Sequence, residues 1–216
     1  VDWRFLLAPL ICYRQRHDHL VISTGTILEA SLYWYTSAVR PAFKGYTSGG
    51  FGPNIVLINP VNSVTEYTTT LLASEYLSKD FLYESLDSLA SPESVKFFRK
   101  KTLLSLVLKH DIQPNQAPSR HNFGNGFSDD ILTIYFVWKL GYKWVLENYC
   151  RNVPESAQEL DMSFFEKFNA RNLAVFDEST ALRLKNKFLL KGITQYSDND
   201  YINLQNSIDF LSKCRE

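Results

Sequence analysis

The densest apolar run in the chain lies between Ile131 and Cys150, where fourteen of twenty residues are apolar or aromatic. Its charged residues, Lys139, Lys143 and Glu147, recur every four positions and so form one narrow polar stripe on a helix that is otherwise apolar all round. Ser128 offers a capping hydroxyl, Asp129 and Asp130 suit the positive end of a helix dipole, and Pro154 supplies a stop. The pattern predicts a buried helix over about 129–151 with the other helices packed around it. A bilayer span also needs about 20 apolar residues. Lys139 and Lys143 sit near the middle of this one, where each charge costs about 2.5–3.5 kcal/mol, so a core helix is expected and a membrane span is not.

The rest of the chain is read from the same periodicities. Val1–Tyr13 forms a short amphipathic element, and Leu20–Ser23 and Asn54–Asn59 read as strands. Thr26 with Glu29 fits a capping box ahead of a helix over Ile27–Val39. Ser63 with Glu66 repeats that spacing before a threonine-rich segment whose β-branching disfavours helix. Leu72, Tyr76, Leu82, Leu86 and Leu89 predict a helix over Leu71–Leu89, in one or two pieces. Ser91, Pro92 and Glu93 signal the start of a helix running to about Lys109, with Val95, Phe98, Leu103, Leu106 and Val107 inward. Further on, Ser163 and Glu166 begin a short helix, Leu173–Phe176 reads as a strand, Ser179 begins a helix stopped by Gly192, and Ser197 or Asp198 begins the last helix. The expected class is α+β, predominantly α-helical, with a few short strands. Residues 1–216 are expected to form one globular domain, with 151–161 as the place for a subdomain boundary.

Composition adds limits. Hydrophobic residues make up 45% and charged residues 21%, which suits a globular chain rather than a disordered one. The net charge is zero, so no overall basic excess draws the chain to nucleic acid or to anionic lipid. Cys12, Cys150 and Cys214 are odd in number and far apart, a pattern suited to reduced thiols in a cytoplasmic or nuclear protein. Phe5–Cys12 makes a poor signal peptide. The first residue is Val1, which leaves open a fragment or a processed product.

Candidate chemistry is sparse. The glycine-rich stretch 42–53 has no phosphate-loop signature, and no GxSxG elbow occurs. His17 and His19 on an extended segment could ligate a metal, with His110, Asp111, His121 and Asp130 completing an oxygen and nitrogen set. The His110-Asp111 doublet resembles the metal-binding pair of HD-type phosphohydrolases, although the spacing to the other histidines and acids departs from that family. No metal or cofactor is expected, and catalytic roles for His110, Asp111, His121 and Asp130 are the weak alternative. Two helix faces are basic, one with Lys96, Arg99 and Lys100 and another with Arg183 and Lys187. With Arg120 these form a candidate nucleic-acid surface. The leading expectation is a non-catalytic protein-protein interaction or assembly module of a larger intracellular complex. A nucleic-acid-binding or nucleic-acid-processing protein comes second and a metal-dependent hydrolase third. If a site exists, the junction of the 111–127 loop with the helix after Ser128 is where it is expected.

Overall fold

In the computed structural model, the residues described are 20–23, 28, 46–47, 55–58, 61–87, 94–114 and 120–215. Among them the chain is mostly helical. Three strands, β1 (Leu20–Ser23), β2 (Tyr46–Thr47) and β3 (Ile55–Ile58), form a small sheet in the order β1-β3-β2. β1 runs parallel to β3 with Leu20 opposite Ile55, and β2 pairs antiparallel to β3. Of the expected strands, Leu20–Ser23 is present as β1, and β3 lies within Asn54–Asn59. The expected elements over Val1–Tyr13 and, apart from Leu28, over Ile27–Val39, the glycine-rich stretch apart from β2, and the Ser91-Pro92-Glu93 signal lie outside the described residues.

Helix α1 spans Glu66–Ser74 and α2 spans Lys79–Asp87. The threonine run is therefore helical, against expectation. Thr69 and Thr70 hydroxyls donate to backbone carbonyls of the preceding turn, so their polar groups are satisfied without leaving the helix. The cap is Thr65 rather than Ser63, its hydroxyl accepting from the Thr68 N–H and donating to the Phe165 carbonyl. Ser78 separates the two helices, its hydroxyl accepting from the Phe81 N–H. Helix α3 (Val95–Leu108) starts after Ser94, whose hydroxyl accepts from the Phe97 N–H, and ends at Lys109 in a left-handed conformation.

The apolar run after the loop forms two helices, α4 (Phe127–Leu140) and α5 (Tyr142–Asn148), instead of the single helix expected over 129–151. Gly141 separates them at φ 92° and ψ 149°, a conformation that side-chain-bearing residues avoid. The start is also earlier than expected. Gly126 occupies the cap position, and Ser128 lies inside the first turn without capping it. Every residue of α4 from Asp130 to Val137 is buried, and α4 packs against α5, the last helix (Asp198–Lys213) and the 3-10 segment Glu155–Glu159.

Three 3-10 segments follow, over Glu155–Glu159, Ser163–Glu166 and Ala170–Val175; the last replaces the expected strand over Leu173–Phe176. Helix α6 (Glu178–Leu190) is capped by Asp177 rather than Ser179. Helix α7 (Asp198–Lys213) begins with the expected Ser197, in a capping box with Asp200. The main core gathers Ile131, Ile134, Tyr135 and Phe136 of α4 with Phe98, Val145, Met162, Phe165 and Leu211, and the rings of Tyr135 and Phe165 stack with centroids 4.5 Å apart. No helix among the described residues is long and apolar enough to cross a membrane.

Candidate functional site

The loop that enters α4 does bring two of the predicted residues together. Strand β4 (His121–Asn122) pairs in parallel with β5 (Cys150–Arg151), fixed by N–H donation from His121 to the Tyr149 carbonyl at 3.1 Å. This holds His121 over the first turn of α4. Its Nε2 lies 2.7 Å from Asp130 Oδ1, which also accepts the Gly124 N–H at 3.0 Å. Asp130 Oδ2 accepts from the Arg215 guanidinium at 2.7 Å, and that guanidinium also lies over the Phe127 ring. The Asp130 side chain is wholly withdrawn from water. Both its oxygens are committed within the protein, which makes it an anchor for the loop, the helix start and the end of α7.

Nucleophilic chemistry beside this pair is weak. The Cys150 thiol donates to the Arg151 carbonyl, and burial pushes it up to about 12, so at neutral pH it is a thiol rather than the reactive thiolate. Burial, with the nearby Asp130 charge, also raises the Cys214 thiol. The other predicted acids and bases are apart from this cluster. Asp129 pairs with Arg99, and Arg120 donates to the Leu146 carbonyl at 2.7 Å.

His110 follows the end of α3 and reaches α2. Its Nε2 lies 3.2 Å from the Lys79 ammonium and its Nδ1 lies 3.3 Å from the Tyr83 hydroxyl. An ammonium can only donate, so Nε2 stands on the acceptor side of this contact. Asp111 beside it is exposed. Among the described residues, no group of three or more His, Cys, Asp or Glu side chains is placed to hold a metal ion; His17 and His19 lie outside them.

The basic faces are largely engaged. Arg99 also lies 3.8 Å from Glu66, Lys100 donates to Glu66 at 3.0 Å, and Arg183 donates to Thr180. Lys96 and Lys187 are exposed. Lys96 and Lys100 belong to α3, which packs on α1 and α2, whereas Arg183 and Lys187 belong to α6, which packs on the third 3-10 segment.

A different feature was not anticipated from the pattern of residues. Helices α1, α2 and α3 enclose a groove of about 340 Å³. Leu82, Leu86, Leu103 and Leu104 are buried beneath it, and Leu77 and Phe81 stand at its rim. Glu66, Thr69, Thr70 and Lys100 supply its polar lining. Beside the rim, Tyr76 is 75% exposed and Phe81 55% exposed, and Leu190 at the end of α6 is 84% exposed. The two ends are joined by the ion pair of Lys191 with Glu75, and the Lys191 ammonium lies over the Tyr76 ring. The signal that would have found this surface is Ser78. Its cap starts a new helix, which leaves Tyr76 in the turn between α1 and α2.

No family model matches this chain, and no curated protein or solved structure matches it. The geometry of the groove and of the buried Asp130 cluster is therefore what a functional reading rests on.

Proposed function

We propose that this chain is a non-catalytic protein-protein interaction or assembly module of an intracellular complex, docking its partner through the α1–α2 turn and the adjoining end of α6. The observation that carries the reading is that exposed Leu77 and Phe81 line the groove, while Tyr76, also exposed, lies under the Lys191 ammonium, and exposed Leu189 and Leu190 directly precede that lysine in the chain. Large apolar side chains beside a pocket, with a polar bridge among them, are the composition of an interface with anchor residues. The free thiols of Cys150 and Cys214 are consistent with a reducing compartment.

The test replaces Tyr76 and Leu190 by Asp in the full chain and compares co-purifying partners by quantitative mass spectrometry. Each partner found is then reconstituted with purified wild-type and variant protein. Partners that bind the wild type directly and lose at least about tenfold in affinity with the variant, which is about 1.4 kcal/mol, support the reading. Retention of every partner by a variant with an unchanged circular dichroism spectrum overturns it.

A further inference from the structure

We infer that the interior between α1, α3 and the end of α5 is a binding site for an internal water, which bridges Arg99 Nε, the Tyr149 hydroxyl and the Glu66 carboxylate. None of these groups is among the exposed side chains proposed above for docking.

The packing of rings brings the three together. Phe98 of α3 and Tyr149, the residue that ends α5, have ring centroids 6.1 Å apart, which sets the next residue of α3, Arg99, beside Tyr149. The Arg99 guanidinium pairs with Asp129 through Nη1, and its Nη2 stands 3.8 Å from Glu66 Oε2. That gap is too long for a direct hydrogen bond, and a polar contact beyond about 3.5 Å is where a bridging water is expected. Glu66 Oε1 accepts from Lys100 at 3.0 Å, so Oε2 is the oxygen turned to Arg99.

Two donors here are buried with no hydrogen-bond partner in the protein, Arg99 Nε–H and the hydroxyl of the wholly buried Tyr149. Burial raises the Tyr149 phenol above its ordinary value, while the nearby Arg99 guanidinium lowers it and Glu66 raises it, so the hydroxyl keeps its proton and lies within electrostatic reach of both. Thr133 is near the phenol without bonding to it, and its own proton goes to the Asp129 carbonyl at 2.7 Å, so it offers only an acceptor.

Buried donors left unpaired are costly. A water accepts from both of them and donates to Glu66 Oε2 and to the Thr133 oxygen, the set of partners that internal waters have. An anion there would meet the Glu66 and Asp129 carboxylates, a cation would meet Arg99, and an apolar molecule would satisfy neither donor. Glu66 also lines the groove, which gives the site an approach from outside.

Two measurements on the full chain test this. A high-resolution crystal structure is expected to show one water peak about 3 Å from each of Arg99 Nε, the Tyr149 hydroxyl and Glu66 Oε2. No such peak, or a direct bond from Tyr149 to Arg99 or Glu66, overturns the proposal. The second measurement uses Tyr149→Phe, which removes the hydroxyl alone, with circular dichroism confirming the fold. Loss of a satisfied hydrogen bond is expected to raise the unfolding equilibrium constant at least about threefold in urea titrations, whereas removing a hydroxyl that bonds to nothing leaves it unchanged or lowers it. A smaller rise or a fall therefore also overturns the proposal. The crystal structure uses the wild type and decides even if the variant does not fold.

Discussion

His121 Nε2 lies 2.7 Å from Asp130 Oδ1, and that carboxylate has no exposure to water. A buried carboxylate is tolerated only when its lone pairs are taken up, and here an imidazole, a backbone N–H and a guanidinium do so. Asp130→Asn weakens all three contacts and is expected to lower stability by about 1.5–3 kcal/mol. The shift of the guanidinium unfolding midpoint measures it, and an unchanged midpoint would show that the cluster does not stabilise the fold.

Asp200 gives a pH-dependent contribution of known sign. Burial alone would raise its carboxyl, but hydrogen bonds from Lys167 and from the Ser197 backbone and hydroxyl outweigh burial and hold it below the ordinary range. A carboxyl lowered in the folded state stabilises fully above the unfolded value of about 4, and the contribution is lost as pH falls through the lower folded value. The stability difference between wild type and Asp200→Asn is therefore expected to be constant near neutrality and to shrink below about pH 4. Urea titrations at a series of pH values test this; a difference that grows on acidification contradicts it.

Gly141 separates α4 from α5 at φ 92°, with open space where a Cβ would stand. The cost of Gly141→Ala is thus one of backbone conformation, about 1–3 kcal/mol, rather than of collision. Chemical denaturation of the alanine variant measures it. A neutral result would mean that the two helices can merge or the turn can relax at little cost.

Because burial pushes the Cys150 thiol up to about 12, its alkylation at pH 8 is expected to follow opening of the fold. Iodoacetamide labelling followed by mass spectrometry should modify Cys150 at least about 100-fold more slowly in native protein than in denaturant. Comparable rates would place this thiol in reach of solvent.

The helical elements were legible where period and punctuation agreed. Ser197 with Asp200 is a local device, and it opens α7 as expected. The apolar density after Ile131 likewise falls on helix, with eight consecutive residues from Asp130 buried, although Gly141 divides it and only Val145 is buried in α5. Competing caps defeated the boundaries: Thr65 and Asp177 act where Ser63 and Ser179 were expected, because neighbouring polar residues offer the same chemistry. Gly141 was passed over because one glycine inside a strong apolar pattern does not announce its φ. The pairing of His121 with Asp130 was foreseen as a neighbourhood, whereas Arg215 was not, since nothing local links residues 85 positions apart. The groove escaped notice for the same reason. Its walls come from three helices, and Tyr76 beside its rim is a residue that the periodicity assigns to the inward stripe.

That long reach has a consequence for kinetics. The Asp130–Arg215 contact can close only after α7 has docked beside the start of α4, so it is expected to form late, on the native side of the folding barrier. Interactions absent from the transition state govern escape from the native state rather than arrival at it. Removing the guanidinium with Arg215→Gln should therefore accelerate unfolding while leaving the refolding rate nearly unchanged, an asymmetry that the two arms of a chevron plot separate directly. The end of α7 acts on this view as a brake on unfolding, setting how long the folded chain lasts more than how fast it forms.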